Sequence, residues 1–234
     1  MHNFNITTQI FQTMRNFDLT TQILTFVFIF MSIVIHEISH GYAAYLLGDD
    51  TAKRMGRLSL NPLNHIDIFG TIILPIILMT TAGFAFGYAK PVPINPHNFK
   101  DYKKGMGITG AAGPIANFII AFLLTIVFVI LIKSGVSKDA RVFGVISLTI
   151  LANVFLALFN LIPVPPLDGS RIVGAFLSDE AYLKYSKLER YGIYVILGAL
   201  VLGKIMKIPI IGLLINTPTF GIISLLDKLI GVLL

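Results

Sequence analysis

Ile35-His36-Glu37-Ile38-Ser39-His40-Gly41 stands inside an apolar run from about Leu19 to Leu47, and its reading decides the fold. It has the form H-E-x-x-H. Side chains four apart on a helix share a face, so His36 and His40 can present two imidazoles to one metal ion. Glu37, beside the first of them, can take a proton from a water at that ion. Most helices with this motif belong to soluble domains. Here Ile23 to Ile35 include only Thr25 and Ser32 as polar members, and Gly41 to Leu47 carry no charge. Three ionisable side chains in an apolar helix of membrane length are costly and mark a functional site by default. With the run entering lipid near Leu19 and leaving near Leu47, the motif lies roughly 16 Å from its C-terminal end at 1.5 Å per residue.

Composition agrees with a membrane setting. The 234 residues are 55% hydrophobic and 13% charged, about half the charged share of an ordinary soluble domain, and the mean hydropathy is +0.82. Such a length suits one membrane domain of several helices and leaves no room for an appended soluble module of ordinary size. The formal net charge is +6. The basic residues fall in short loops between apolar runs, which points to anionic lipid headgroups and away from nucleic acid. Cysteine is absent, so there are no disulfides or thiolate ligands, and any metal rests on His and carboxylate. The first apolar run lacks a basic start and a cleavage site and is too long for a cleaved leader.

Around that run the chain divides into an interfacial N-terminal segment (1–18), a catalytic transmembrane core (19–169) and a C-terminal part (170–234) with a surface segment and further transmembrane helices. The spacing of Phe4, Ile6, Ile10, Phe11, Met14 and Phe17 predicts a short helix at the interface. Residues 66 to 88 are apolar but interrupted by Gly70, Pro75, Gly83 and Gly87, and Gly83-Phe84-Ala85-Phe86-Gly87-Tyr88 alternates with period two. This predicts a re-entrant β-hairpin, buried in protein or lining a cavity. Pro91, Pro93 and Pro96 then hold Lys90 to Asn98 extended. Further spans are predicted at about 106–132 and 142–162, followed by interrupted apolar runs at 191–206 and 208–234. The expected fold is an all-α polytopic membrane protein of about five to six transmembrane helices with that hairpin. With the His40 end of the first span in the cytoplasm, the outer side keeps Arg15, Lys133, Lys138, Arg141, Lys204 and Lys207, six of the 18 basic residues. The positive-inside rule favours this orientation, with the active site nearer the cytoplasmic side of a multi-pass cell-membrane protein.

A catalytic zinc takes three protein ligands and keeps a fourth position open. The H-E-x-x-H-x-x-G-x-x-H pattern fails, because Ala43 and Leu46 occupy the required Gly and His positions. A downstream Glu is no better, since none follows Glu37 until Glu180. His2, His65 and His97 lie in polar surroundings outside the apolar runs, where they read as surface or interfacial residues. Asp168, after the third span and three prolines, is the better candidate for the third ligand; Asp-Gly is also a common turn or cap pair.

Three motifs in order, His36-Glu37-x-x-His40, Gly113-Pro114-x-x-Asn117 and Asn160-x-x-Pro163-x-Pro165-x-Leu167-Asp168-Gly169, resemble the site-2 protease family of intramembrane zinc metalloproteases. Gly87-Tyr88-Ala89-Lys90-Pro91-Val92-Pro93-Ile94-Asn95 looks like its compact prokaryotic members, which lack PDZ and CBS domains. The resemblance implies one Zn2+ per chain held by His36, His40 and Asp168, with Glu37 as general base and acid. It further implies that Asn160 and Asn117 hold the substrate backbone or the developing oxyanion, and that Gly83, Phe84, Gly87 and Tyr88 pair with an unwound substrate strand. Asn117 and Asn160 read equally as interhelical hydrogen-bonding residues. Ser170 departs from the family, standing where Gly is frequent.

The expected activity is therefore hydrolysis of peptide bonds in single-pass transmembrane proteins within the bilayer. The rival reading is a membrane metal or ion transporter, which would have no need of Glu37 between the histidines. Gly105-x-Gly107-x-x-Gly110 matches a dinucleotide fingerprint, but no βαβ unit surrounds it, so no nucleotide is expected. Close helix approach is the better account of these small residues.

Overall fold

The computed structural model describes residues 4–82, 87–206 and 210–234. Its first helix, α1 (Ile6–Arg15), begins where Asn5 Oδ1 accepts the N–H of Thr8 at 2.8 Å. Asp18 caps α2 (Leu19–Leu46) in the same way, accepting from the Thr21 N–H at 2.8 Å. That helix stops at Gly48, whose φ of 106° lets the Asp49 N–H turn back onto the Ala44 carbonyl. A short α3 (Thr51–Arg54) and a 3-10 turn (Pro62–His65) follow. Next comes a wide π turn (Ile68–Ile73) running into α4 (Leu74–Ala82). The two long helices α5 (Tyr102–Lys133) and α6 (Arg141–Asn160) come next, then α7 (Asp168–Gly174), α8 (Asp179–Ser186), α9 (Glu189–Ile205) and α10 (Ile210–Leu233).

Two compact units divide the chain, and α2 and α5 contribute residues to both. The first gathers residues 1–32, 115–159 and 212–234. Its core joins Ile6 and Ile10 of α1 to Phe128 of α5, Phe143, Ile150 and Val154 of α6, and Ile223 and Ile230 of α10. The Phe128 and Phe143 rings meet edge to face at 5.0 Å. Asp227 of α10 accepts the Ile6 N–H at 2.7 Å and bonds the Thr7 hydroxyl, tying the start of α1 to the last helix. The second unit, residues 33–114 and 160–211, contains the H-E-x-x-H motif. Within it the Asp49 carboxylate accepts from the Asn95 N–H and from Asn98 Nδ2, each at 2.7 Å. This fastens the irregular run 87–95 beside the end of α2, together with the 3-10 turn Pro96–Asn98 that ends the expected extended stretch Lys90 to Asn98.

Two expectations are corrected. Among the described residues there is no strand, and the stretch predicted as a re-entrant β-hairpin is helical from Ile68 to Ala82. The π turn explains how a helix tolerates Pro75: it displaces the hydrogen-bond ladder just before the residue that lacks an N–H, with Leu74 N–H donating to Phe69 O. Gly70 and Gly87 stand at close-packed positions. A Cβ on Gly70 would fall 2.3 Å from the Tyr88 ring, and one on Gly87 would fall 2.6 Å from the Gly70 carbonyl oxygen. Gly83 and Phe84 lie outside the described residues. The second correction concerns the number of spans. Among the described residues three helices, α2, α5 and α6, are long and apolar enough to cross a membrane, not five or six. The apolar pieces Ile68–Thr81 and Tyr194–Gly203 are shorter than the ~20 residues that a spanning helix needs.

Candidate metal centre

One turn of α2 carries His36 and His40, and their rings meet at 88° with Nε2 atoms 3.1 Å apart. Asp168, the first residue of α7, brings Oδ2 to 3.2 Å from each of those nitrogens. All three side chains are buried. The turn into α7 is tight: a Cβ on Gly169 would fall 2.2 Å from the Leu161 carbonyl oxygen, so the Asp168-Gly169 pair has a packing reason for its glycine. Ser170 is accommodated without an unmet group, since its hydroxyl donates to the Leu167 carbonyl at 2.7 Å.

Helix α5 closes the other side. The Thr109 carbonyl lies 2.7 Å from His40 Nδ1, so that nitrogen carries the proton and the Nε2 lone pair faces inward. Gly113 stands over both rings; a Cβ there would fall 2.5 Å from His36 Cε1 and 2.5 Å from His40 Nε2. Gly107 and Gly110 continue this small face, and their missing Cβ atoms make room for Ala175 and for Arg171 and the Asp168 carbonyl. That is the close helix approach the sequence pointed to.

The donor set fits a zinc ion. Asp168 Oδ2 is buried and accepts no hydrogen bond, and a lone pair of His40 is turned toward it. A cation among these three buried atoms would satisfy all of them at once. Tetrahedral ligands at zinc bond lengths of 2.0–2.1 Å stand about 3.3 Å apart, close to the observed triangle of 3.1, 3.2 and 3.2 Å. Among the described residues this is the one group of three His or carboxylate side chains so gathered.

Glu37 is half-buried, and its Oε2 accepts the Val92 N–H at 3.0 Å. Asn160 is half-buried at the last position of α6. Asn117 belongs to the first unit, where it is fully buried and Nδ2 donates to Asn153 Oδ1 at 3.1 Å; Asn153 in turn donates to Ser32 Oγ at 3.0 Å. The Tyr88 backbone is engaged on both sides, its N–H donating to Gly70 O and its carbonyl accepting from Thr71 Oγ1, each at 3.0 Å. His65, read as a surface residue, is fully buried: its Nε2 lies 2.8 Å from the Ser59 carbonyl, and the chain folds back over it at Lys90.

Known proteins agree with this chemistry. The family model for peptidase family M50 matches residues 129–203, which include Asp168. YwhC of Bacillus subtilis (strain 168), a candidate zinc metalloprotease by its name, is 39% identical over 171 residues, covering 71% of this chain and 75% of its own. The chain belongs to peptidase family M50. This M50 chain, a site-2 protease relative, is a zinc metalloprotease. It is also similar to Rip2 of Mycolicibacterium smegmatis, named as another candidate zinc metalloprotease, at 28% identity over 73% of this chain and 64% of Rip2. The zinc metalloprotease MJ0392 of Methanocaldococcus jannaschii is 30% identical over 70% of this chain and 37% of its own length. No solved structure matches.

Thr109, Val92 and the part played by Gly113 escaped the reading of the sequence. A backbone carbonyl or amide leaves no mark in residue type. Gly113 was legible as part of a motif but not as the space above two imidazoles.

Proposed function

We propose that this M50 chain cuts single-pass transmembrane proteins within the cell membrane, with its active site nearer the cytoplasmic side. His36, His40 and Asp168 hold the zinc and Glu37 moves the proton. The observation that carries this reading is the triangle of His36 Nε2, His40 Nε2 and Asp168 Oδ2 beside a carboxylate on the same helix. Bound zinc would supply a Lewis acid that polarises the scissile carbonyl and makes water a nucleophile near neutral pH.

The chain's own groups do the rest. Glu37 accepts a proton as water adds to the peptide carbon and returns it to the departing amide nitrogen as the C–N bond breaks, so an acid and an amine leave. Thr109 keeps His40 in the tautomer that ligates, and Gly113 leaves space over the imidazoles. Asn160 is proposed to hold the substrate backbone or the oxyanion, a donor of the kind whose loss costs about 3 kcal/mol of barrier. Asn117 is a weaker candidate for that part, because its Nδ2 is already engaged with Asn153. The basic loops on the His40 side of α2 support the orientation.

Purified full chain in proteoliposomes, assayed for zinc and for cleavage of a model transmembrane peptide, tests the proposal. Glu37→Gln is expected to abolish cleavage while zinc stays near one per chain. Cleavage retained in that variant, or zinc retained after loss of both imidazoles, overturns it. Metal flux without proteolysis would favour a transporter.

A further inference from the structure

In Pro91-Val92-Pro93 only the middle residue has a backbone N–H, and that N–H is spent on Glu37 Oε2 at 3.0 Å. The segment that presents it is clamped from two sides. Arg57 Nη2 donates to the Lys90 carbonyl at 2.9 Å and to the Pro91 carbonyl at 3.4 Å, while the Lys90 N–H donates to the His65 carbonyl at 2.9 Å. Val92 is itself buried against α2, where a Cβ on Gly41 would fall 2.6 Å from Val92 Cγ1. The flanking prolines hold the backbone extended without help from a strand partner.

A carboxylate on a half-buried helix face has several rotamers to choose among, and a base that must meet one proton needs one of them. From this arrangement we infer that the Val92 amide is the positioning group for Glu37. It holds one carboxylate oxygen, leaving the other to accept the proton, and Arg57 fixes the segment that delivers it. The inference rests on the proposal that Glu37 is the proton carrier. Glu37 acts on the substrate, and Val92 acts only through Glu37.

The test replaces the donor without removing the bulk. Val92→Pro deletes the N–H in a run already shaped for proline, and Val92→Ala trims the side chain but keeps the N–H. Each full-length variant is reconstituted with a model transmembrane peptide, and kcat, KM and zinc content are measured. The proline variant should lose about 10–100-fold in kcat, the usual cost of removing a group that orients a reacting one, with KM and zinc unchanged. The alanine variant should recover most of that loss. A proline variant with kcat equal to or above the parent overturns the inference, and so does an equal loss in both variants. If the proline variant fails to hold zinc, Arg57→Ala decides: a fall in kcat at constant KM supports the clamp, and an unchanged kcat overturns it. Glu37→Gln run alongside separates the two claims. Should it cleave normally, the proton-carrier assignment falls and this inference with it; should it be inactive while Val92→Pro is normal, only this inference falls.

Discussion

Gly113 of α5 is placed so that a Cβ on it would fall 2.5 Å from Cε1 of His36, a distance that real Cβ atoms do not tolerate. The imidazole is not free to retreat, because it faces His40 and Asp168 on its other side. Gly113→Ala should therefore push the rings apart and weaken zinc binding by about 10-fold or more, on top of an overpacking cost of about 1–3 kcal/mol. Zinc content after dialysis against a weak chelator is the measurement; a variant as zinc-loaded as the parent would mean that α5 yields easily.

Removing the metal should abolish cleavage and adding it back should restore it. Two imidazoles and one carboxylate suit Zn2+ and are a poor match for Mg2+, which prefers oxygen ligands and water. Activity of a chelated sample should return with zinc and stay at background with magnesium. Recovery with magnesium alone would contradict the nitrogen-rich donor set.

Asp227 anchors α1 from the far end of the chain, accepting the Ile6 N–H and bonding the Thr7 hydroxyl. Hydrogen bonds to a charged group contribute about 1.5–3 kcal/mol each, net of the bonds to water they replace. Asp227→Ala should lower the thermal midpoint in detergent and expose residues near 6–15 to protease. Zinc content should not change, since the proposed ligands His36, His40 and Asp168 belong to the other unit. An unaltered midpoint would show that the apolar contacts of Ile6 and Ile10 hold α1 alone.

Asp49 gives a pH dependence outside the apolar spans. Burial works against its charged form, but hydrogen bonds from Thr51, Asn95 and Asn98 outweigh burial and hold the carboxyl below the ordinary 3.8. A folded-state value below the unfolded one adds stability above the unfolded value, and that stability is lost as pH falls through the lowered folded value. Stability of the parent should thus fall below about pH 4, and Asp49→Asn should flatten that part of the profile while lowering stability at neutral pH. An identical acid limb in both proteins would remove Asp49 from the account.

The H-E-x-x-H run was legible because a helix repeats every 3.6 residues and because charged groups in an apolar segment have few bland explanations. The expected first span, 19–47, and α2 (Leu19–Leu46) nearly coincide. Asp168 was legible by exclusion of other ligands and by resemblance, and the structure brings it to His36 and His40 across more than a hundred residues. The hairpin expectation fails because Ile68 to Ala82 is helical, and two of the glycines that suggested an interruption are close-packing positions: Gly70 lies against the Tyr88 ring and Gly87 against the Gly70 carbonyl. Helix α4 tolerates Pro75 through a π turn, which no composition rule anticipates. His65 looked exposed among polar neighbours and is buried, with its ring against the Ser59 carbonyl and its own carbonyl accepting the Lys90 N–H.

The bond from His40 to the Thr109 carbonyl makes the register of two helices part of the coordination chemistry. A slide or rotation of α5 that carried Ala112 or Pro114 into the place of Gly113 would press side-chain carbon onto both rings. Zinc occupancy in this family member is then a reporter of how α5 is threaded past α2, and a ligand that shifted that crossing would be felt first as a loss of metal.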